Sequence, residues 1–192
     1  MQNDEKIIEQ AFCVFSQFFD AKDALTSGHS MRVAKYSILL ARKLGYGSEQ
    51  CRKIYYIALM HDCGKVWIPD EILKKPGKLT SEEYDLMKTH TTTGANMLQD
   101  FSSIPNIREG ALYHHERYDG KGYPYGKSKE EIPFIGRLIC VADSYDAMNS
   151  NRCYRNQLSK EKILSELLEN RGTQFDPPIV DCMLSLIHEG VC

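Results

Sequence analysis

The sequence predicts an all-α domain of about eight helices. Apolar residues recur at three- and four-residue intervals along almost the whole chain, the period that lines one face of a helix. No segment of useful length alternates apolar with polar residues as a half-buried strand does. At 192 residues and 22.0 kDa, the chain has room for one domain with a sizeable core and not for a second full one.

Ile8, Phe12, Phe15 and Phe19 form the first stripe. It is expected to pack on the core, the alternative being a homodimer contact. Residues 1–20 are accordingly read as an N-terminal helix or linker remnant, and 21–192 as the main domain. Val33, Tyr36, Leu40 and Leu44 form the second stripe. Further helical patterns run over about 48–61, 80–98, 107–115, 133–148, 159–168 and 178–187. Thr80 and Glu83 form a capping box, in which hydroxyl and carboxylate close free amides at a helix start, and Pro76-Gly77 supplies the turn before it. Glycine and proline otherwise gather between Asp119 and Gly126, a loop joining two helices.

Composition narrows the function classes. Hydrophobic residues at 42% and charged ones at 26% are ordinary globular usage, which excludes a disordered or collagen-like chain. Lys and Arg number 24 against 26 Asp and Glu, so an anionic ligand must be held by a local cluster of cations, and coating of long nucleic acid is not expected. The start Met1-Gln2-Asn3-Asp4-Glu5-Lys6 lacks the features of a signal peptide, and no apolar run approaches the roughly 20 residues of a membrane span. A cytoplasmic protein is expected. Seven cysteines with no C-x-x-C pair read as reduced thiols, Cys63 among them as a small residue filling a helix end.

The histidines and certain aspartates carry the chemistry. His29 opens the stripe through Val33, Tyr36 and Leu40, so its imidazole should point inward. His61 and Asp62 end the apolar run 54–60, and His90 shares a face with Met87, Gly94 and Met97. His114 and His115 close the helix through Ile107 and Ala111, and Asp143 follows the run 138–142. Any one of these reads equally as a buried histidine on a carbonyl or an aspartate capping a helix. Together, five histidines and two aspartates on core-facing positions have no matching set of core cations, and buried charge is costly unless paired or bound to metal. Metal binding is the economical explanation. Imidazoles with carboxylates suit iron, manganese or zinc, and Asp62 could bridge two ions with its two oxygens. Two such metals would activate a bridging water and clamp both oxygens of an in-line phosphoryl displacement.

These positions fall in an ordered set of motifs. The set begins with His29-Ser30-x-Arg32-Val33-Ala34, His61-Asp62-x-Gly64-Lys65, Ile68-Pro69-Asp70-x-Ile72-Leu73 and Lys75-Pro76-Gly77-x-Leu79-Thr80. It continues with His90-x-x-x-Gly94, His114-His115-Glu116-Arg117-x-Asp119-Gly120-x-Gly122-Tyr123-Pro124 and Val141-Ala142-Asp143-x-x-Asp146-Ala147. Over about Asp20 to Val180 the sequence resembles the HD-GYP phosphodiesterases of the bacterial HD superfamily.

The resemblance implies a helical HD bundle and a metal-dependent phosphodiesterase that hydrolyses cyclic di-GMP to linear pGpG, or further to GMP, through a bridging hydroxide at a dinuclear site. It implies His29, His61, Asp62, His90, His114, His115 and Asp143 as metal ligands, with Asp62 as the bridge. Two divalent ions are expected, iron first, with manganese or another transition metal as alternatives. Lys65 is implied as the catalytic clamp on the scissile phosphate, and Tyr123, Arg152 and Arg155 as substrate contacts. Glu116 and Asp119 are second-sphere candidates for orienting His114 or His115, with helix capping as the other reading. The Gly-Tyr-Pro loop is implied as a docking face for a diguanylate cyclase or a regulatory domain. Family members with three metals carry a glutamate four residues before the first histidine; Leu25 stands there, so two metals are expected. Cyclic GMP-AMP as substrate, a broader HD phosphohydrolase, or a non-catalytic sensing or docking module are the alternatives.

Overall fold

A computed structural model describes residues 2–22, 28–150 and 157–192. Leu25, Arg152 and Arg155 lie outside the described residues. Nine α-helices follow in order among the described residues: α1 (Gln2–Lys22), α2 (His29–Lys43), α3 (Ser48–Leu59), α4 (Asp70–Leu73), α5 (Ser81–Met97), α6 (Ile107–Tyr113), α7 (Phe134–Asn149), α8 (Lys160–Glu169) and α9 (Pro177–His188). Two 3₁₀ turns, Cys63–Trp67 and Lys129–Glu131, complete the list, and the described residues contain isolated bridges but no strand.

The expected helices form, and the capping box closes with Thr80 Oγ1 accepting from the Glu83 amide at 3.3 Å and Glu83 Oε2 from the Thr80 amide at 2.7 Å. The added element is α4. Its four residues follow Pro69 and span about one helical turn, too short for any apolar period to register.

The core is an apolar seam between α2, α3, α6, α7 and α9, where Val33, Leu40, Ile57, Ile107, Ile139, Val141, Val180 and Met183 are buried. Each such side chain contributes about 1.5–3 kcal/mol by leaving water. That seam fixes the helix ends that carry the histidines.

The first stripe divides. Phe12 is buried against Tyr56, with ring centroids 4.7 Å apart, and Phe19 packs half-buried on the core. Ile8 and Phe15 are exposed and line an open apolar groove with Met60, Leu98 and Phe101. Core packing therefore holds for part of the stripe only. Helix α1 runs unbroken through the boundary expected at 20/21, and Asp20 accepts from the Ser30 amide at 3.2 Å and its hydroxyl at 2.6 Å, binding α1 to the start of α2.

Gly64 and Gly94 set a close approach between the Cys63–Trp67 turn and α5. A Cβ on Gly64 would stand 1.9 Å from the His90 carbonyl oxygen and 2.6 Å from the Gly94 amide nitrogen. Only glycine lets the 3₁₀ turn Cys63–Trp67 lie against α5 at this depth. Cys63 fills the adjoining space, its Sγ 3.8 Å from the Gly94 carbonyl, as the sequence reading expected of a small residue. Trp67, at the end of the same turn, is exposed.

Candidate metal centre

Five elements deliver the seven expected ligands to one place. His29 is the first residue of α2, His61 and Asp62 follow α3, His90 lies in the middle of α5, His114 and His115 follow α6, and Asp143 lies in α7. Each sits where an apolar helix face meets the interior, so the forces that bury the helices also bury the ligands. His29, His61, Asp62, His90 and His114 are buried; His115 and Asp143 are half-buried.

Two groups emerge, each with ligand atoms within 4.8 Å of one another: His29, His61 and Asp143, and Asp62, His90, His114 and His115. Asp62 stands between them. Its Oδ1 is 3.4 Å from His90 Nε2 and 3.6 Å from His114 Nε2, while its Oδ2 is 3.4 Å from His61 Nε2 and 3.8 Å from His29 Nε2. Asp143 Oδ1 lies 3.2 Å from His29 Nε2.

The hydrogen bonds on the far side of each ring fix what the near side offers. His61 Nδ1 meets the Ala58 carbonyl at 2.7 Å, His90 Nδ1 the Met87 carbonyl at 2.7 Å, and His114 Nδ1 the Ala111 carbonyl at 2.9 Å. A carbonyl only accepts, so each Nδ1 carries a proton, and Nε2 is the ring nitrogen turned inward and left to meet a cation. His90 Nε2 and His114 Nε2 face each other 3.4 Å apart. His61 Nε2 and Asp62 Oδ1 are buried with no hydrogen-bond partner. Orphaned acceptors converging on one space are costly unless a cation fills it. The donor set of imidazole nitrogens and carboxylate oxygens fits divalent transition metals.

The electrostatics follow. Burial opposes charge on His29, but Asp143 and Asp146 outweigh it and push the imidazole up to about 9. Burial drives His90 down to about 3, with His114 adding to the fall and Asp62 opposing it. Burial, with His114 and His90 alongside, holds His115 well below the usual histidine range. Burial would raise the Asp62 carboxyl, but Lys65 and the surrounding imidazoles hold it well below the usual range.

Lys65 reaches the rim of this space, its Nζ 2.7 Å from Asp62 Oδ2. Tyr123 stacks on His115 with centroids 4.8 Å apart and planes 24° from parallel. Tyr84 on α5 meets Tyr123 edge-on at 6.3 Å and stands about half exposed. His188, the remaining histidine, is exposed at the end of α9.

Glu116 and Asp119 do not orient the histidines. Carbonyls of Gly110 and Ala111 take the His114 Nδ1 proton. Glu116 instead accepts from the Tyr125 amide at 2.7 Å, and Asp119 pairs with Arg117 and accepts from the Lys121 amide at 3.1 Å. Both carboxylates organise the Gly-Tyr-Pro loop. The orienting carboxylate is Asp146, whose Oδ2 lies 2.8 Å from His29 Nδ1 and whose oxygens also take two hydrogen bonds from Arg32, at 2.7 and 3.0 Å. The sequence reading quoted Asp146 within a motif without giving it a role; the visible signal was its place one turn after Asp143, on the same face of α7.

An HD-domain family model matches residues 14–179. The chain belongs to the HD-domain family, in its HD-GYP branch. It is similar to a cyclic di-GMP phosphodiesterase of Thermotoga maritima, 38% identical over 199 residues that cover 96% of this chain and 54% of that protein. A 3′3′-cGAMP-specific phosphodiesterase 2 of Vibrio cholerae is 36% identical over 86% of this chain and 32% of its own length. The chain thus spans about half or less of the curated relatives it matches. Among solved structures, a cyclic GMP-AMP specific phosphodiesterase of V. cholerae (V-cGAP3) superposes with a TM-score of 0.72 at 17% identity, covering 93% of this chain and 48% of that one, a likeness of fold. Among the described residues, no helix is long and apolar enough to cross a membrane.

Proposed function

We propose that this chain is a metal-dependent phosphodiesterase that opens cyclic di-GMP to linear pGpG, with His29, His61, Asp62, Asp143, His90, His114 and His115 holding two divalent ions, iron or manganese. The observation that carries the reading is Asp62, whose two carboxylate oxygens address separate groups of imidazoles. The similarity to a cyclic di-GMP phosphodiesterase supplies the substrate class.

Two ions held there would supply an activated water and charge neutralisation at the phosphoryl oxygens. The chain's own residues do the rest. Asp62 sets the spacing of the two ligand groups, and Asp146 holds the His29 ring so that Nε2 points inward. Lys65 stands at the rim, where its ammonium stabilises charge that grows on a non-bridging phosphate oxygen. Tyr123 excludes water from the His115 side, and the exposed ring of Tyr84 beyond it offers a face on which a guanine stacks. Tyr125, exposed at the tip of the loop, is the part of that turn open to a docking partner such as a diguanylate cyclase domain. Cyclic GMP-AMP is the second reading, favoured by the similarity to a cGAMP-specific relative.

The test is product analysis after anaerobic reconstitution with Fe(II), and separately with Mn(II), offering cyclic di-GMP, cyclic GMP-AMP and pGpG in parallel. Metal-dependent pGpG from cyclic di-GMP is expected. Lys65→Met should lower kcat by about 10²–10³-fold with metal content unchanged, the scale for losing a transition-state charge stabiliser. Faster cleavage of cyclic GMP-AMP selects the second reading. No turnover with two ions bound per chain overturns both.

A further inference from the structure

The last turn of α1 reaches the turn that bears Lys65. Lys22 Nζ donates to the carbonyl oxygens of Val66 and Ile68, the latter at 2.9 Å, across 44 and 46 residues of sequence. These carbonyls close the 3₁₀ turn Cys63–Trp67, whose internal bonds run from the Lys65 amide to the Asp62 carbonyl and from the Ile68 amide to the Lys65 carbonyl, both 3.0 Å. The end of a helical turn leaves carbonyls without internal donors and carries partial negative charge, so an ammonium there satisfies both demands. Asp70 is a lesser partner for Lys22: its Oδ1 is 4.0 Å away and its side chain is more than half exposed, where ion pairs are worth little.

One face of the turn is fixed by Gly64 against α5. Lys22 supplies a hold at its far end and is contributed by a different helix. The same turn presents Asp62 at its start and Lys65 within it.

We propose that Lys22 is a positioning residue: it clamps the Cys63–Trp67 turn to α1 and thereby sets where Lys65 stands at the mouth of the metal centre. The consequence for turnover rests on the phosphodiesterase reading; the clamp itself does not.

Lys22→Met and Lys22→Arg in the full chain separate the two. Hydrogen exchange of the segment 62–70, read by mass spectrometry, should accelerate in Lys22→Met and return toward wild type in Lys22→Arg, whose guanidinium can also donate to two carbonyls. In the reconstituted protein, kcat should fall by about tenfold to a hundredfold in Lys22→Met, the cost of a misplaced catalytic group, with KM and metal content unchanged. Lys22→Arg should restore most of it, and Asp70→Asn should leave both readouts at wild-type values. Unchanged exchange in segment 62–70 in Lys22→Met overturns the clamp. Loss of kcat that tracks loss of metal, or failure of Lys22→Arg to rescue, overturns the positioning role. A wild-type chain that cleaves no diester refutes the phosphodiesterase reading, and hydrogen exchange still decides the clamp.

Discussion

On one side of Asp62, His29 and His61 share their space with Asp143, and His29 is braced from behind by the Asp146 carboxylate. On the other side, His90, His114 and His115 gather with Asp62, whose Oδ1 faces His90 and His114, and those two rings are braced by backbone carbonyls. The first half is rich in anions, which push the His29 imidazole up to about 9; in the second, burial holds His90 and His115 below the usual histidine range. The difference teaches that the two proposed ions are not equivalent. A divalent cation gains more Coulomb energy in the first half, where oxygen donors also suit a harder metal such as manganese. The second half relies on nitrogen lone pairs prepared by their hydrogen bonds.

The largest effect should come from the residue the halves share. Asp62→Ala should bring metal content after gel filtration close to zero and abolish turnover; retention of both ions would show the halves to be independent. Next come substitutions within one half. With Mn(II) followed by electron paramagnetic resonance, His90→Ala should keep the tighter-bound ion and His29→Ala should lose it, and the reverse order would break the comparison. The smallest effect should come from behind the ligands. Asp146→Asn should weaken the first half by about 10–100-fold in metal affinity, the range for an outer partner of a ligating histidine, and leave the second half at its wild-type affinity.

Much of this centre was legible in the sequence because each of its histidines and aspartates ends or interrupts an apolar helix face. His61 and Asp62 close an apolar run, and His29 begins one, so local period alone aims them inward. What bound them to their supports was not legible. Asp146 meets His29 across 117 residues, and Lys22 meets Ile68 across 46; no spacing rule reaches that far. Glu116 was left between ring partner and helix cap, because adjacency to His114 and His115 suggested their ring protons, whereas the chain turns back and presents the Tyr125 amide to it. Helix α1 was half legible: its stripe is continuous in sequence, but the core accepts Phe12 and leaves Phe15 outside.

Trp67 is the chain's single tryptophan and stands exposed at the end of the turn that carries Lys65. Indole emission from this protein therefore comes from one address. Its colour follows the polarity around that turn, and a paramagnetic ion settling nearby would dim it. The molecule carries its own optical gauge of the Cys63–Trp67 turn, readable in the native chain without a label.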